Sequence, residues 1–458
     1  MKIIALPLLF TLILSASDIS VSNSLTLDEA INILKNENLE IKAAQLDINA
    51  AKADAAAATG NNWGKLDLIQ DVARSNDAGN VFGFKLTSRE ANFGDFGFSE
   101  FSIPTTPAQG AALLVTEPKD LNYPDDRNFF QTKLKYEVPL FTGFMLSGYE
   151  KIMNSMTKMK TLEKEQVVNE KLYQIKKSFY DMALLKDSTK NLSSILNNIN
   201  TLETMTQNMI DVGYAKKVDL LEVQAKKGNV ERLINQMHYN EKLLYHYISF
   251  LLNQEVTYIE VPTHNAPMPT YSDEDIIASN LDVQRASTGL TITKEMVGVS
   301  KASYYPMVGA FAELATADDS FLGDANDHKA YTIGARLTWN LFNGGIDSAK
   351  IEKSKIENLK TRTQVQLARK GIALQVSKIK TEIQTFDMEI KSLKKELILA
   401  DQIYANYEGR YREKLSSMSD VIIKQSEQIQ KILQLQMAYN KRNERIFALE
   451  KLANGENR

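Results

Sequence analysis

The heptapeptide WNLFNGG, residues 339–345, decides the fold of this chain. It follows an alternating apolar and polar segment and precedes a long polar one. A related heptapeptide, VPLFTGF at residues 138–144, has the same setting in the first half. The shared pattern is Leu-Phe-x-Gly, and the two copies are offset by 201 residues. A motif repeated at this distance, each time in the same setting, predicts an internal duplication.

The segment before each heptapeptide alternates with a period of two. The apolar positions of the second copy are Tyr331, Ile333, Ala335, Leu337, Trp339 and Leu341. Those of the first copy, at the same offset, are Phe130, Leu134, Tyr136, Val138 and Leu140, with Thr132 among them. Such alternation predicts strands with one apolar face, here at 330–342, with weaker strands at 306–315 and after Trp63. About eleven residues is the length of a tilted transmembrane strand, and a polar second face suits an aqueous lumen.

A soluble sandwich whose core is the apolar face is the alternative, and two observations favour a membrane. Trp63, Tyr305 and Trp339 fall where strands meet helices, as an aromatic girdle at a membrane interface requires. In addition, four strands cannot close a barrel alone, and open sheet edges are not tolerated in lipid. Several chains must therefore share one barrel. At its rim, Gly143, Gly344 and Gly345 allow the backbone to turn from strand into helix.

Very long helices are predicted on either side of these strands. No proline occurs at 140–261 or at 307–458. Proline is the strongest helix breaker, and apolar residues recur there at alternating steps of three and four. We predict long helices at 145–211 and 346–411, each followed by a shorter one at 218–253 or 420–452. A helix of this length measures about 100 Å and must pack as a coiled coil.

The N-terminal parts of the two halves also match, at a different offset. NLEIKAA at 38–44 resembles NLDVQRA at 280–286, so the first half contains extra residues, which we assign to an enlarged loop at 88–128. The first repeat then covers 18–260 and the second 261–458, where a helix at 272–302 precedes the strands. The fold class is mainly α with transmembrane β, built from a duplicated helix-strand-strand-helix repeat.

The N-terminus has the pattern of a secretory signal peptide. A basic start, an apolar run and the small residues near Ser17 predict a signal at 1–17. No later apolar run reaches the roughly 18 residues of a membrane-spanning helix. The net charge of −3 gives no basic footprint for nucleic acid, and the absence of cysteine excludes disulfides and thiolate metal sites.

Three features carry a resemblance to a known family: the duplicated heptapeptides, the opening LTLDEAINILKNENLEIKAA (25–44), and the paired motifs VDLLEVQ (218–224) and SDVIIKQ (419–425). In these features the chain resembles the TolC family of outer-membrane efflux proteins. The resemblance implies a homotrimer with a 12-stranded β-barrel continuous with a periplasmic α-helical coiled-coil barrel. It also implies a periplasmic adaptor and an inner-membrane transporter as partners, and location in the outer membrane of a Gram-negative bacterium.

The same resemblance implies a periplasmic gate at the helix tips. Asp219, Tyr411 and Asp420 match the family's tip aspartate, tyrosine and ring aspartate. The second ring position is Ile423 and the usual arginine partner is Ser416, which departs from the best-known pattern. Lys216, Lys217, Arg410 and Arg412 are the nearby charges that could replace the missing ones. Helix N-capping is the alternative role of both aspartates.

No catalytic, cofactor or metal motif accompanies these features. The four histidines, His238, His246, His264 and His328, show no ligand spacing, and no G-x-S-x-G or phosphate-binding loop occurs. We therefore predict no enzyme and no cofactor, but an exit duct for efflux or type I secretion. The alternative function is a periplasmic coiled-coil adaptor that forms no pore.

Overall fold

The structure, a computed structural model, describes residues 25–262, 265–321, 323 and 327–455. The predicted signal peptide lies outside these residues. The helices are α1 (Leu27–Glu37), α2 (Leu39–Gly60), α3 (Ala78–Thr87), α4 (Pro107–Leu113), α5 (Lys119–Asn122), α6 (Met145–Asp211), α7 (Lys217–Leu252), α8 (Asp273–Ser279), α9 (Leu281–Lys301), α10 (Ile346–Arg412) and α11 (Met418–Ala453). The strands are β1 (Lys65–Ser75), β2 (Arg127–Phe141), β3 (Met307–Asp318) and β4 (Lys329–Thr338).

The long helices repeat with the same lengths. Helices α6 and α10 each contain 67 residues, and α7 and α11 each contain 36. Each of the four bounds in the first half lies 201 residues before its counterpart. The repeat therefore extends from the sequence motifs to the ends of the helices, which lie within two residues of the predicted positions.

Apolar residues at heptad spacing form the helical cores. One core cluster combines residues of α6, α7, α10 and α11, all buried: Leu192, Ile195, Ile199, Leu202, Val223, Val230, Tyr404, Tyr411, Met418, Val421, Ile429 and Ile432. Complete burial of a leucine or isoleucine side chain contributes roughly 1.5–3 kcal/mol, so this cluster holds the helices side by side.

The predicted single helix at 272–302 is wrong, because the chain forms α8 and α9 with a break at Asn280. The Asn280 side chain accepts hydrogen bonds from the amides of Asp282 and Val283 at 3.0 and 3.2 Å. Asn38 breaks the first repeat at the equivalent position and caps α2 through two bonds of the same lengths. An asparagine N-cap satisfies helix amides that have no partner within the helix, which favours a new helix start.

The four strands form one antiparallel sheet in the order β1-β2-β3-β4. The register aligns Leu68 with Leu134, Leu134 with Leu314, and Leu314 with Tyr331, so the apolar residues of all four strands share one face. Leu68, Leu314 and Tyr331 are exposed on that face. On the other face, Lys133 pairs with Asp71 at 3.0 Å.

Two predicted strand ends differ from the structure. β4 ends at Thr338 rather than 342, and β3 continues to Asp318 rather than 315. Thr338 pairs with Met307, the first residue of β3. Pro306, which precedes Met307, has no amide hydrogen and cannot extend the ladder. Trp339 and the rest of its heptapeptide therefore lie beyond the strand.

The enlarged loop is more ordered than the sequence predicts. It contains two short helices, α4 and α5, and two 3₁₀ turns, while α3 begins before it and ends at its edge. The ring of Phe84 in α3 stacks on Phe129 of β2 with centroids 4.2 Å apart. Arg127 of β2 forms an ion pair with Glu90. The loop is thus attached to the end of the sheet.

The chain divides into two compact units. One comprises the described residues within 1–42, 167–273 and 375–458, and the other comprises those within 43–166 and 274–374. The first contains the C-terminal parts of α6 and α10, with α7, α11 and the helical core cluster, and the second contains the sheet. Each unit contains segments of both repeats. Among the described residues, no helix is both long enough and apolar enough to cross a bilayer.

Candidate functional site

The first candidate site is formed by two helix-to-helix turns. We call residues 212–216, between α6 and α7, the first tip, and residues 413–417, between α10 and α11, the second tip. In the first tip, Gly213 has φ +82° and the Tyr214 amide donates to the Met209 carbonyl at 2.7 Å. In the second tip, Lys414 has φ +66° and the Leu415 amide donates to the Arg410 carbonyl, also at 2.7 Å. The two tips therefore share one backbone conformation.

Both predicted tip aspartates are the third residue of the helix that contains them, and each accepts a hydrogen bond from the N-cap residue. Asp219 accepts a hydrogen bond from the Lys216 amide at 2.8 Å. Asp420 accepts from the Ser417 amide at 3.2 Å and from the Ser417 hydroxyl at 2.6 Å. The Asp420 amide in turn donates to that hydroxyl oxygen at 3.2 Å, which completes a reciprocal capping box. The capping alternative is thus present at both positions.

These hydrogen bonds also set the electrostatics of the exposed Asp420 carboxylate. The bonds from the side chain and the backbone of Ser417 lower the pKa of Asp420, and Ser416 and the charge of Arg410 act in the same direction. Ser416, which replaces the family's usual arginine, lies with its hydroxyl 3.4 Å from the carboxylate. Ile423, at the other departure from the pattern, is half exposed and has no charge to contribute.

Tyr411, the third predicted gate residue, is buried between helices. Its hydroxyl donates to Oγ1 of Thr206 in α6 at 3.5 Å, and Thr206 is fully buried. Burial raises the pKa of Tyr411, and the negative charge of Asp219 acts in the same direction. The structure therefore brings Tyr411 within electrostatic reach of Asp219, while Asp420 is bonded to serines of its own tip.

A contact that the sequence gave no reason to expect joins the two tips. The ammonium nitrogen of Lys414 lies 3.2 Å from the centre of the Tyr214 ring. Of the basic residues considered as replacements, Arg412 pairs with Glu408 of its own helix at 2.7 Å, and Arg410 donates to the Leu415 carbonyl at 3.5 Å. Lys414 is thus the cation that contacts the other tip.

The second candidate site is the pair of strand-to-helix junctions. Gly143 and Gly344 have φ of +62° and +54°, and the next residues, Phe144 and Gly345, have +68° and +79°. These angles favour glycine, so Phe144 is the exception. Its ring contacts the rings of Phe141 and Tyr305 edge to face, with centroids 5.4 and 5.6 Å apart. Those contacts offset the strain of the backbone.

The predicted interface aromatics lie at these junctions. Trp63 and Trp339 expose 76% and 54% of their surface, which is far more than tryptophan shows in a soluble core. The Trp339 indole donates to the Tyr304 carbonyl at 3.3 Å. The Trp63 carbonyl accepts from the Tyr136 hydroxyl at 2.7 Å. Tyr305 is also exposed and packs against Phe144. All three predicted aromatics are therefore at strand ends.

One junction residue was missed at the level of sequence. Gly64 has φ +69°, and a Cβ atom there would lie only 1.9 Å from the Glu137 carbonyl oxygen. Glycine is therefore required where β1 starts beside β2. In the sequence, only its position directly after Trp63 pointed to Gly64. The close approach of Gly64 to Glu137 depends on the register between β1 and β2, which the sequence does not give.

The same fold, a four-stranded sheet with long helices, occurs in solved structures of outer-membrane channels. The fold is similar to a solved structure of CusC described as forming a transmembrane channel, with a TM-score of 0.76 and 13% identity over 93% of this chain and 91% of that one. It is also similar to the outer membrane protein VceC of Vibrio cholerae, with a TM-score of 0.74 and 14% identity over 93% and 96% of the two chains. The MtrE outer membrane channel of Neisseria gonorrhoeae, in its open state, matches with a TM-score of 0.72 and 11% identity over 93% and 88%.

The second repeat also matches a known family model in sequence. Residues 274–455 match the family model described as outer membrane efflux protein. No curated protein sequence matches the chain significantly. The predicted resemblance to the TolC family and the fold class are confirmed. The similar structures are described as channels rather than enzymes.

Proposed function

We propose that the chain is one protomer of a homotrimeric exit duct in the outer membrane of a Gram-negative bacterium. The observation that carries this proposal is the four-stranded sheet, whose apolar face is exposed and whose outer strands are β1 and β4. Lipid cannot accept unpaired strand edges, so β1 of one chain would pair with β4 of the next. Three chains would then contribute twelve strands.

The polar face supports a water-filled lumen inside that barrel. Lysines and acidic residues of β1 and β2 form ion pairs across this face: Lys65–Asp67, Lys133–Asp71 and Lys135–Glu137, at 2.8, 3.0 and 2.8 Å. Charged groups are costly on a lipid-facing surface and are typical of the interior of a membrane barrel. The predicted signal peptide at 1–17 would direct the chain out of the cytoplasm.

The long helices would cross the periplasm and meet the partner proteins at their tips. In this proposal a periplasmic adaptor and an inner-membrane transporter dock there, and docking separates the tips. Asp219, Tyr411 and Asp420 would contribute to the closed state. The Lys414–Tyr214 contact supports a closed state that does not need the charged residues replaced by Ser416 and Ile423, because it joins the two tips directly.

Fractionation and electrical recording test the channel itself. We expect the protein in outer membranes as a trimer that dissociates on heating in detergent, and we expect single-channel conductance after reconstitution into planar bilayers. A monomer that fractionates with soluble periplasmic proteins and conducts no ions contradicts the proposal and favours the adaptor alternative.

The gate is tested by a double variant and a matched control. Asp420→Ala with Tyr411→Phe removes both proposed gate contacts, and we expect a higher single-channel conductance. Ser419→Ala changes an exposed neighbouring residue and keeps Asp420, Tyr411 and the capping box, and we expect it to leave the conductance near that of the parent. Unchanged conductance in the double variant, or an equal rise in Ser419→Ala, contradicts the role in gating.

A further inference from the structure

Three metal-ligating side chains meet at the end of the sheet, beside the enlarged loop. Glu90 lies near the start of that loop, Asp318 is the last residue of β3, and His328 directly precedes β4. One ligand atom from each lies within 4.8 Å of the others. The three residues are far apart in sequence, which explains why spacing alone predicted no metal site. All three belong to the unit that contains the sheet.

Two of the three side chains are largely buried, and that of Glu90 is 29% exposed. Asp318 is 7% exposed, and the His328 side chain is 13% exposed. The turn after β3 approaches the Asp318 carboxylate so closely that a Cβ atom at Gly323 would lie 2.2 Å from its Oδ2 atom. Buried carboxylates of this kind need a compensating charge or hydrogen bonds.

The Nδ1 atom of His328 is the least explained atom of the cluster. It is inaccessible to solvent and makes no hydrogen bond, and the nearest carboxylate oxygen, Oδ2 of Asp318, is 3.9 Å away. This distance is too long for a hydrogen bond. A buried imidazole nitrogen that makes no hydrogen bond and belongs to a cluster with two carboxylates suits the role of a metal ligand.

Both carboxylates of the cluster also accept hydrogen bonds from neighbouring groups. Glu90 uses one carboxylate oxygen, Oε2, to accept from the Ser88 hydroxyl at 2.6 Å and from the Arg127 guanidinium. These bonds orient Glu90 and leave its second oxygen outside both of them. The Asp318 carboxylate accepts a hydrogen bond from the Asp319 amide through Oδ1 at 2.6 Å, and its Oδ2 atom is the oxygen nearest to His328. Each of the three residues still offers one ligand atom to the cluster.

We propose that Glu90, Asp318 and His328 bind one divalent transition-metal cation of the Zn²⁺ type. One imidazole nitrogen with two carboxylate oxygens is a ligand set that such cations accept, and water would complete the coordination. Tetrahedral ligands at about 2.1 Å from the metal lie about 3.4 Å apart, so Nδ1 and Oδ2 need to approach by about 0.5 Å. Side-chain rotation provides that movement.

The proposed site would clamp the enlarged loop to the β3–β4 hairpin. Glu90 comes from the loop, whereas Asp318 and His328 flank the hairpin turn. Binding would therefore reduce the opening of the loop at the outer end of the sheet. This inference does not depend on gating or on the partner proteins, so failure of the proposed function leaves it testable.

Equilibrium binding of Zn²⁺ to the full-length, tag-free protein, stripped with a chelator in detergent, tests the site. We expect one Zn²⁺ per chain, at least about a hundredfold weaker binding in His328→Ala, and about tenfold weaker binding in Ser88→Ala, which removes a partner of the ligand Glu90. His246→Ala is the matched control, because His246 is exposed and outside the cluster. It should bind as the parent does.

Two further measurements use only the parent protein, so they test the site even if a variant fails to assemble. In the parent protein, Co²⁺ should give the intense visible absorption of a four- or five-coordinate site, and Zn²⁺ should slow proteolysis within residues 88–128. Absence of stoichiometric Zn²⁺ binding, equal affinity in His328→Ala, or a Co²⁺ spectrum like that of the hydrated ion would overturn the proposal.

Discussion

The two strand-to-helix junctions have nearly the same backbone but different residues. The first reads Gly143-Phe144 and the second Gly344-Gly345, and all four residues have φ between +54° and +79°. In the first junction a Cβ atom at Gly143 would lie 2.8 Å from the Ala302 carbonyl oxygen, whereas nothing lies within 4 Å at Gly344. The duplication therefore preserves the turn itself, while packing makes one copy less tolerant than the other.

The largest effect is expected from alanine at the two matched glycines. Gly344→Ala should cost only the left-handed conformation, about 1 kcal/mol of unfolding free energy. Gly143→Ala should cost about 3 kcal/mol, because overpacking against Ala302 is added to the same backbone term. Thermal unfolding of the two purified variants measures the difference. Equal destabilisation by the two substitutions would mean that the two junctions are packed alike, which would contradict the structure.

Substitution of Phe144 sharpens the same comparison. Phe144→Ala keeps the strained backbone and loses two edge-to-face contacts, so we expect a loss of about 2 kcal/mol. Phe144→Gly loses the same contacts but relieves about 1 kcal/mol of strain. Glycine should therefore be less destabilising than alanine here, the reverse of the usual order in an ordered segment. If alanine is the better tolerated residue, the left-handed conformation at this position is wrong.

The two tips differ in capping chemistry, and exchanging it is expected to have a smaller effect. Ser417→Ala removes the reciprocal box and should destabilise the first turn of α11 by about 1 kcal/mol. Lys216→Ser should stabilise the first turn of α7 by a similar amount, because it supplies the missing hydroxyl acceptor. Hydrogen exchange of peptides that cover 216–222 and 417–423 measures both. We expect exchange to become faster in peptide 417–423 of Ser417→Ala and slower in peptide 216–222 of Lys216→Ser. Changes in the same direction would contradict the capping roles given to these two residues.

The smallest effect concerns the pH dependence of the second tip. Hydrogen bonds from Ser417 lower the pKa of Asp420 in the folded protein. A lowered folded pKa stabilises the cap above the unfolded pKa of about 3.9, and this contribution is lost as pH falls through the folded value. Exchange of peptide 417–423, corrected for the intrinsic rate, should thus be constant near neutral pH and increase in acid. Asp420→Asn should remove that pH dependence. If the dependence persists in this variant, the Asp420 carboxylate is not its cause.

The sequence predicted those parts of the fold that depend on local periodicity. The ends of α6 and α10 follow from glycine at the junctions, from the absence of proline and from heptad spacing, so they were found within one residue. The break at Asn280 was missed because an asparagine within an otherwise continuous helical pattern does not by itself predict an N-cap. The end of β4 was missed because it depends on its pairing with Met307 beside Pro306.

The candidate sites also differ in whether they depend on local sequence or on contacts between distant residues. The aromatics at the strand ends could be found because the sequence pattern predicts the strands and the helices separately, which locates the boundary between them. The Lys414–Tyr214 contact and the cluster of Glu90, Asp318 and His328 join residues distant in the chain, so only the packing of the elements reveals them. The gate roles of Asp219, Tyr411 and Asp420 stay predictions.

The central claim, that neighbouring chains pair through β1 and β4, is tested most directly by cysteine cross-linking. The chain has no cysteine, so every disulfide reports introduced positions only. Leu68→Cys in β1 is combined in turn with Tyr331→Cys, Ile333→Cys or Ala335→Cys in β4, to sample the register. Leu68→Cys with Leu134→Cys is the control, because these residues are opposite each other within one chain.

We expect at least one β1–β4 combination, oxidised in outer membranes, to give reducible species of two and three chains in denaturing gels. The control pair should lose its free thiols without forming multimers. If the control pair closes and none of the β1–β4 combinations gives a multimer, the shared barrel is contradicted.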